Sequence, residues 1–496
     1  MRATFHLKTL TVAVAALSIA SVASAAGLDR SGQDITAFLQ DGLYAEAVYT
    51  YIDGDVSGHD NAYVGNDKNA YQQGNKVDDV AESYDFFRYG VKADINDTFS
   101  VGILYDEPFG AAADYSGDNN FVAQGDLEAS INAISGGAAS SKADAGEKIG
   151  QLTQGAQQAG GLAADLAEQA QAATTPQAAK ELAAQAQAAK EKAETLAGQA
   201  QSLGAAVAAA EAELATKGES TNVEVRSESI TGIVGMKFGQ DKNFQVYGGP
   251  VAQQIQADVK LRGTAYGPAT GYTAHISRDQ DYGWLAGASY SKPEIALKAA
   301  LTYRSEIDHS LNIDETYPVA GALGKEPVQG NKIDITTPKS VNFDFQTGIN
   351  PTTLATAKVR WVPWSDFAIV PPLYNEVSKN ATKDDTGLPL VSYDKDQWLV
   401  ELGLAKRLTP ALAVTGNIGW DSGAGDPVTS LGPIEGYYSA GLGAKYNVTE
   451  NWAVSAGGKY LWFGDAKGQI PTKNIVSNFE DNDGFALGVK LSYQAK

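Results

Sequence analysis

Apolar and polar residues alternate through fourteen stretches of this chain, and the connections between the stretches are short, then long, then short again. A period of two is that of a strand with one apolar and one polar face. Strands joined by tight reversals at one end and long loops at the other are the sequence form of a closed β-barrel in a membrane. The pattern is cleanest near the C-terminus, where Tyr438, Ala440, Leu442, Ala444 and Tyr446 alternate with Ser439, Gly441, Gly443 and Lys445. Further on, Phe485, Leu487, Val489, Leu491 and Tyr493 share one face, and Ala486, Gly488, Lys490 and Ser492 the other. A soluble sandwich alternates too, so alternation by itself does not choose the solvent.

The N-terminus does. Arg2 and Lys8 precede an apolar run from Leu10 to Val22 that closes on Ala23-Ser24-Ala25, which reads as a secretory signal peptide over residues 1–25. No later segment offers the roughly 20 consecutive apolar residues of a spanning helix. Export, period-2 strands and no helical anchor point to the Gram-negative outer membrane and an all-β, 14-stranded antiparallel transmembrane barrel. The chain has no cysteine, so an oxidising compartment has nothing to cross-link. A formal net charge of −21 argues against nucleic acid, whose phosphates need a basic stripe.

Six short connections carry turn chemistry: Asn96-Asp97, Gln240-Asp241-Lys242, Lys292-Pro293, Asn350-Pro351, Thr409-Pro410 and Thr449-Glu450-Asn451. Longer polar connections lie near 52–83, 107–222, 261–277, 312–331, 366–392, 421–436 and 464–483. The expected organisation is a short N-terminal lumenal or plug segment over 26–42, barrel strands 1–3 over 43–125, an insertion over 126–217 and strands 4–14 over 218–496. With an even strand number both termini and all the short turns face the periplasm, and every long loop faces outward. Tyr51, Phe99, Phe244, Tyr290, Trp420, Tyr446, Trp452, Trp462 and Tyr493 sit near strand ends on the lipid face, where amphipathic rings suit the headgroup level.

The same register turns charges inward. If Ile295, Leu297, Ala299, Leu301 and Tyr303 meet lipid, then Lys298 and Arg304 face the lumen; Ala355, Ala357, Val359 and Trp361 likewise leave Lys358 and Arg360 inside. Arg88, Lys92, Lys237, Lys445, Lys459 and Lys490 join them, beside Glu46, Asp94, Asp344 and Glu401. Two readings stay open: a mixed-charge lumen that pairs with itself, or cations that receive an anionic head group. For the second, Arg304 and Arg360 come first, because a planar guanidinium meets both oxygens of a carboxylate.

Residues 126–217 break the strand rhythm and are dominated by Ala, Gln, Glu and Lys, all strong helix formers. Ile149, Leu152, Ala156, Ala159, Ala163, Leu166, Ala170 and Ala173 recur at spacings of three and four. After Thr174-Thr175-Pro176, where Thr175 can cap and Pro176 can open a helix, the pattern resumes from Leu182 to Leu214. Such seams predict an antiparallel helical hairpin of coiled-coil character inserted in an extracellular loop, the second helix about 60 Å long. It is either a solvated insertion or a contact arm.

By these residues the chain resembles the long-chain fatty acid transporter (FadL-type) family of outer membrane proteins. Ala300-Leu301-Thr302-Tyr303-Arg304-Ser305-Glu306-Ile307 is similar to a strand motif of that family, and Tyr272-Thr273-Ala274-His275-Ile276, Tyr282-Gly283-Trp284-Leu285-Ala286-Gly287, Ile335-Thr336-Thr337-Pro338 and Ala26-Gly27 resemble neighbouring features. The resemblance covers most of residues 84–110 and 220–493. It implies fourteen strands and passive passage of hydrophobic molecules such as long-chain fatty acids, captured by extracellular loops and released sideways at an inward kink of strand 3. That kink would fall at Pro108, Phe109 and Gly110; proline cannot donate a ladder hydrogen bond and glycine tolerates unusual backbone angles. Members often carry a longer N-terminal plug with an Asn-Pro-Ala motif, absent from Ala26–Gly42, so the family's plug does not carry over intact.

Nothing supports an enzyme. The four histidines, His6, His59, His275 and His309, have no metal spacing, and no nucleophile elbow or phosphate loop occurs, so neither cofactor nor metal is expected. The candidate ligand-binding residues are Arg304, Arg360 and Lys298 for a head group, and Phe109, Phe367, Ile369 and Leu373 for an apolar body. Expected partners are long-chain fatty acids or other hydrophobic small molecules, outer-membrane lipid and lipopolysaccharide, and the barrel-assembly machinery, with the chain as a monomer. Two other functions fit the same pattern: a general diffusion porin, or an adhesin or structural barrel whose helical arm is the working part.

Overall fold

A computed structural model describes residues 27–63, 67–382 and 385–495; the signal peptide expected over 1–25 lies outside them. Fourteen antiparallel strands form a closed barrel. They are β1 (Leu43–Asp55), β2 (Tyr84–Asp94), β3 (Phe99–Asp106, then Gly110–Asp114), β4 (Asn222–Phe238), β5 (Phe244–Lys260), β6 (Thr273–Lys292) and β7 (Leu297–Arg304, then Ile307–Thr316). The ring continues with β8 (Val328–Thr337, then Ser340–Asn350), β9 (Thr353–Val362), β10 (Gln397–Arg407), β11 (Leu412–Asp421), β12 (Glu435–Asn447), β13 (Trp452–Gly464) and β14 (Asp483–Ala495). β14 pairs with β1 from Leu43↔Ala495 to Asp55↔Asp483, which leaves no free edge.

All six short reversals stand where the turn residues place them. Side-chain oxygens close several: Asn96 accepts the amides of Thr98 and Phe99 at 2.8 and 2.9 Å, and Thr409 and Thr449 accept those of Leu412 and Trp452 at 3.0 Å each. The strand register agrees with the sequence as well. Leu301, Leu404, Leu442 and Leu487 lie exposed on the outer face, while Arg304, Lys445, Lys459 and Lys490 are buried inside. A contiguous apolar outer surface is what a barrel presents to lipid.

Three strands are interrupted rather than simply ended. β3 breaks at residues 107–109, β7 at 305–306 and β8 at 338–339. The sequence reading put residue 107 onward in a loop; the structure instead resumes the strand at Gly110 and pairs it with β4 up to Asp114↔Asn222. At the long-loop end, Gly58–Asn61, Gln73–Val77, Val428–Thr429, Ala466–Gln469 and Ile475–Phe479 form a separate five-stranded sheet. Those segments, two to five residues long, show no alternation of their own and were not anticipated.

The insertion is the expected hairpin, α2 (Lys142–Ala172) and α3 (Pro176–Ala215), preceded by an unanticipated α1 (Leu127–Ile134). Thr175 caps α3 by accepting the Ala178 amide at 3.3 Å, with Pro176 at its first turn. Ala159, Ala186, Ala189 and Leu203 are buried along the seam. Burial is concentrated at the base of α3, from Leu203 to Glu213, where Glu213 accepts the Gln124 amide at 3.0 Å.

Candidate functional site

The short N-terminal segment does enter the barrel. Ile35 and Phe38 are fully buried, and Phe38 packs on Tyr247 of β5 with ring centroids 5.7 Å apart. Its charged residues reach the wall: Asp29 accepts from Arg360 Nε and Nη2 at 2.6 and 2.9 Å, and Asp34 lies 3.4 Å from Arg88. Arg88 is also 3.6 Å from Glu46, and Lys490 is 3.5 Å from the same carboxylate. Further round, Lys459 meets Glu401 at 2.8 Å and Lys92 meets Asp94 at 2.7 Å. Buried charges persist when they are paired, and here the pairing fastens a plug in the lumen despite the missing Asn-Pro-Ala motif.

Above the plug lies a small apolar chamber of about 30 Å³. Leu28, Val225, Val259, Ile276, Ile369 and Leu431 are among its walls, and no charged side chain lines it. It adjoins a second cavity of about 110 Å³; Gly27, Ala111, Leu431 and Gly432 line both. Gly27 stands at the junction. It has φ +62°, and a Cβ there would stand 2.5 Å from the Trp364 ring.

The second cavity leads to a gap in the barrel wall. β2 and β3 form a ladder only from Tyr89↔Tyr105 to Asp94↔Ser100. Beyond it β3 carries one extra residue against β4, since Asp106 pairs with Ser229 and Gly110 with Arg226. The kinked backbone bonds inward to the plug instead: Arg30 N–H donates to Pro108 O at 2.9 Å, and Gly110 N–H to Leu28 O at 2.8 Å. On the other side Ser227 Oγ accepts the Phe109 amide at 2.8 Å and donates to the Phe109 carbonyl at 2.7 Å. In the gap itself, the Glu107 carboxylate accepts from Tyr84 Oη at 3.2 Å and the Phe87 amide at 3.3 Å. Exposed Phe87 and Tyr89 lie on one side of this point and exposed Asp85 on the other, so the gap sits at the edge of the apolar belt.

The sequence-predicted residues fall into three groups. Pro108, Phe109 and Gly110 lie at the break in β3, where the backbones of Pro108 and Gly110 bond to the N-terminal segment. Arg360 meets a carboxylate, but it is the chain's own Asp29; Lys298 is likewise spent on the backbone oxygen of Leu39. Arg304 is buried, donates to Thr231 at 3.2 Å through Nη1 and leaves Nε without a partner. Of the apolar set, Ile369 lines the chamber, while Phe109 and Phe367 pack edge-on against Trp364 at 5.7 and 5.2 Å. Leu373 is buried at the start of α4 (Pro372–Thr382), where its amide donates to Glu315 at 2.9 Å. Asp29, Arg30, Tyr84, Glu107 and Leu431 were missed as site residues. They lie in segments far apart in sequence, and only the kink residues gave a local signal.

The family model described as "Outer membrane protein transport protein (OMPP1/FadL/TodX)" matches residues 265–494. Over those residues, a little under half of its length, the chain resembles that family. Its closed fourteen-stranded barrel is that of Gram-negative outer-membrane β-barrel proteins. Among solved structures it is similar to a Pseudomonas aeruginosa FadL homologue, at 13% identity over 95% of this chain and 96% of that one, with a TM-score of 0.57. It is also similar to the Pseudomonas putida toluene transporter TodX, at 10% identity over 96% and 97%, with a TM-score of 0.51. At those identities the likeness is one of fold. No curated protein matches the chain.

Proposed function

We propose that this channel takes up hydrophobic molecules such as long-chain fatty acids or small aromatic hydrocarbons through its extracellular loops and releases them sideways at the break in β3. The observation that carries this reading is the coincidence of three features: an axis filled by an ion-paired plug, an apolar chamber above it, and a contiguous cavity that ends at the kink. A hydrophobic solute gains nothing from the charged lumen, whereas the side route starts in an uncharged chamber, continues past mostly apolar and small residues with Asp29, Arg30 and Glu82 among them, and opens at the edge of the lipid belt. The filled lumen also speaks against a general diffusion porin.

The test is uptake of radiolabelled oleate, toluene and a small sugar by an outer-membrane strain that lacks its own transporter and expresses this chain. Wild type should admit at least one hydrophobic probe without leaking sugar. Deletion of Pro108, which removes the extra residue of β3 and lets its ladder run on, should lower that uptake at least tenfold while the barrel still assembles. Undiminished uptake by the assembled deletion variant would rule out the lateral route.

A further inference from the structure

The lumenal cations differ in one respect. Arg88, Lys92, Arg360, Lys459 and Lys490 each have a carboxylate within salt-bridge distance, whereas Arg30, Lys298, Arg304 and Lys445 have none among the described residues, and of these four only Arg30 lines the side cavity. Arg30 is 6% exposed, and its Nη1 has no hydrogen-bond partner. Its Cζ stands over the Tyr84 ring, 3.0 Å from the centroid, in the wall of the cavity behind the gap. The room for it is built in: a Cβ on Gly110 would come within 2.6 Å of Arg30 Nε. Burial draws the guanidinium down to about 10, so it stays charged at neutral pH.

We propose that Arg30 receives the carboxylate of an amphipathic acid whose apolar body occupies the side cavity, which makes Arg30 a specificity residue of the lateral route. This rests on the lateral route proposed above. The carboxylates around Arg30 are engaged elsewhere or stand outside: Asp29 with Arg360, Glu107 with Tyr84 and the Phe87 amide, Glu224 with Arg226 at 2.6 Å, and Glu82 exposed at the cavity's outer edge. A buried, unpaired guanidinium is costly, and a planar two-oxygen acceptor offsets that cost better than any neutral group. Val56, Val80, Leu431 and Phe463 line the remainder. A void of about 150 Å³ holds a benzene; the 110 Å³ here is smaller, so an aromatic or longer body extends from it through the gap or into the adjoining chamber. Arg88 and Arg304, the other buried arginines with a spare donor, line neither cavity.

Equilibrium binding to the purified full-length barrel tests this with three probes of matched shape: 4-methylbenzoate, 4-methylbenzamide and toluene. Wild type should hold the acid at least tenfold more tightly than the amide. Arg30→Met should bring that ratio to within twofold of one and leave toluene binding unchanged, and Arg30→Lys, which keeps the charge but loses the fork, should fall between. A wild type with no preference for the acid overturns the assignment, and that comparison needs no variant to fold. So does a preference that survives Arg30→Met, or one abolished by Arg304→Met instead. Loss of toluene binding in wild type would count against the hydrophobic route itself, whatever the acid does.

Discussion

The plugged lumen and the chamber above it share one barrel and are built on opposite chemistry. In the lumen, residues from distant strands pair charge with charge: Asp29 is 331 residues from Arg360, and Lys459 is 58 from Glu401. In the chamber, aliphatic side chains from β4, β5, β6 and the outer loops leave a small space with no charge in its lining. The difference teaches how a channel can be tight and permissive at once. Ion pairs hold the plug in place and make the axis hostile to a hydrocarbon, and the side route then runs to an interrupted stretch of wall whose backbone the plug bonds.

The largest expected effect comes from breaking the plug's anchor. Arg360→Met leaves Asp29 buried without a partner, a cost of about 3–5 kcal/mol, and should release the segment so that planar-bilayer conductance rises well above the wild-type baseline. Replacing both partners, Asp29→Leu with Arg360→Met, should recover much of the lost stability in urea unfolding; a double variant as unstable as the single would show that the pair is not what holds the plug. A middle-sized effect is expected in the chamber. Leu431→Gln puts an amide into an apolar lining without a partner and should weaken toluene binding roughly tenfold, for a cost of about 1–3 kcal/mol, with conductance unchanged. Weakened sealing there would blur the division between the two regions. The smallest effect belongs to the arm. Gly155 and Leu196 face each other closely enough that a Cβ on the glycine would be 3.2 Å from Leu196 Cδ1. Replacing residues 156–193 by a short turn should therefore leave hydrophobic uptake within twofold; a larger loss would make the hairpin part of the route.

Most of the architecture was legible because it is local. Alternation fixed which face of each strand meets lipid, Asn96, Thr409 and Thr449 marked reversals through their own side chains, and Thr175-Pro176 marked the start of the long helix. Pro108 likewise announced a break in β3. The partners inside the barrel were not legible, because period two says only that Arg360 points inward and not that a residue near the N-terminus waits there. The same holds for Lys298 and the Leu39 carbonyl. The interruptions of β7 and β8 are not legible for a related reason: Ser305-Glu306 carries no breaking residue, and Pro338 fits the start of a new strand as well as a break within one. Arg30 was visible as a residue and invisible as a site, since its isolation depends on where every neighbouring carboxylate goes.

The most direct measurement is photo-crosslinking of the expressed barrel, in intact cells, with a diazirine-bearing hydrocarbon, followed by mass spectrometry of the adducts. The lateral route predicts adducts at residues lining the two cavities, such as Leu28, Val56, Ala111, Leu431 and Phe463, and at the gap beside Tyr84. Adducts running instead down the ion-paired axis, around Glu46, Glu401 and Lys490, would contradict it.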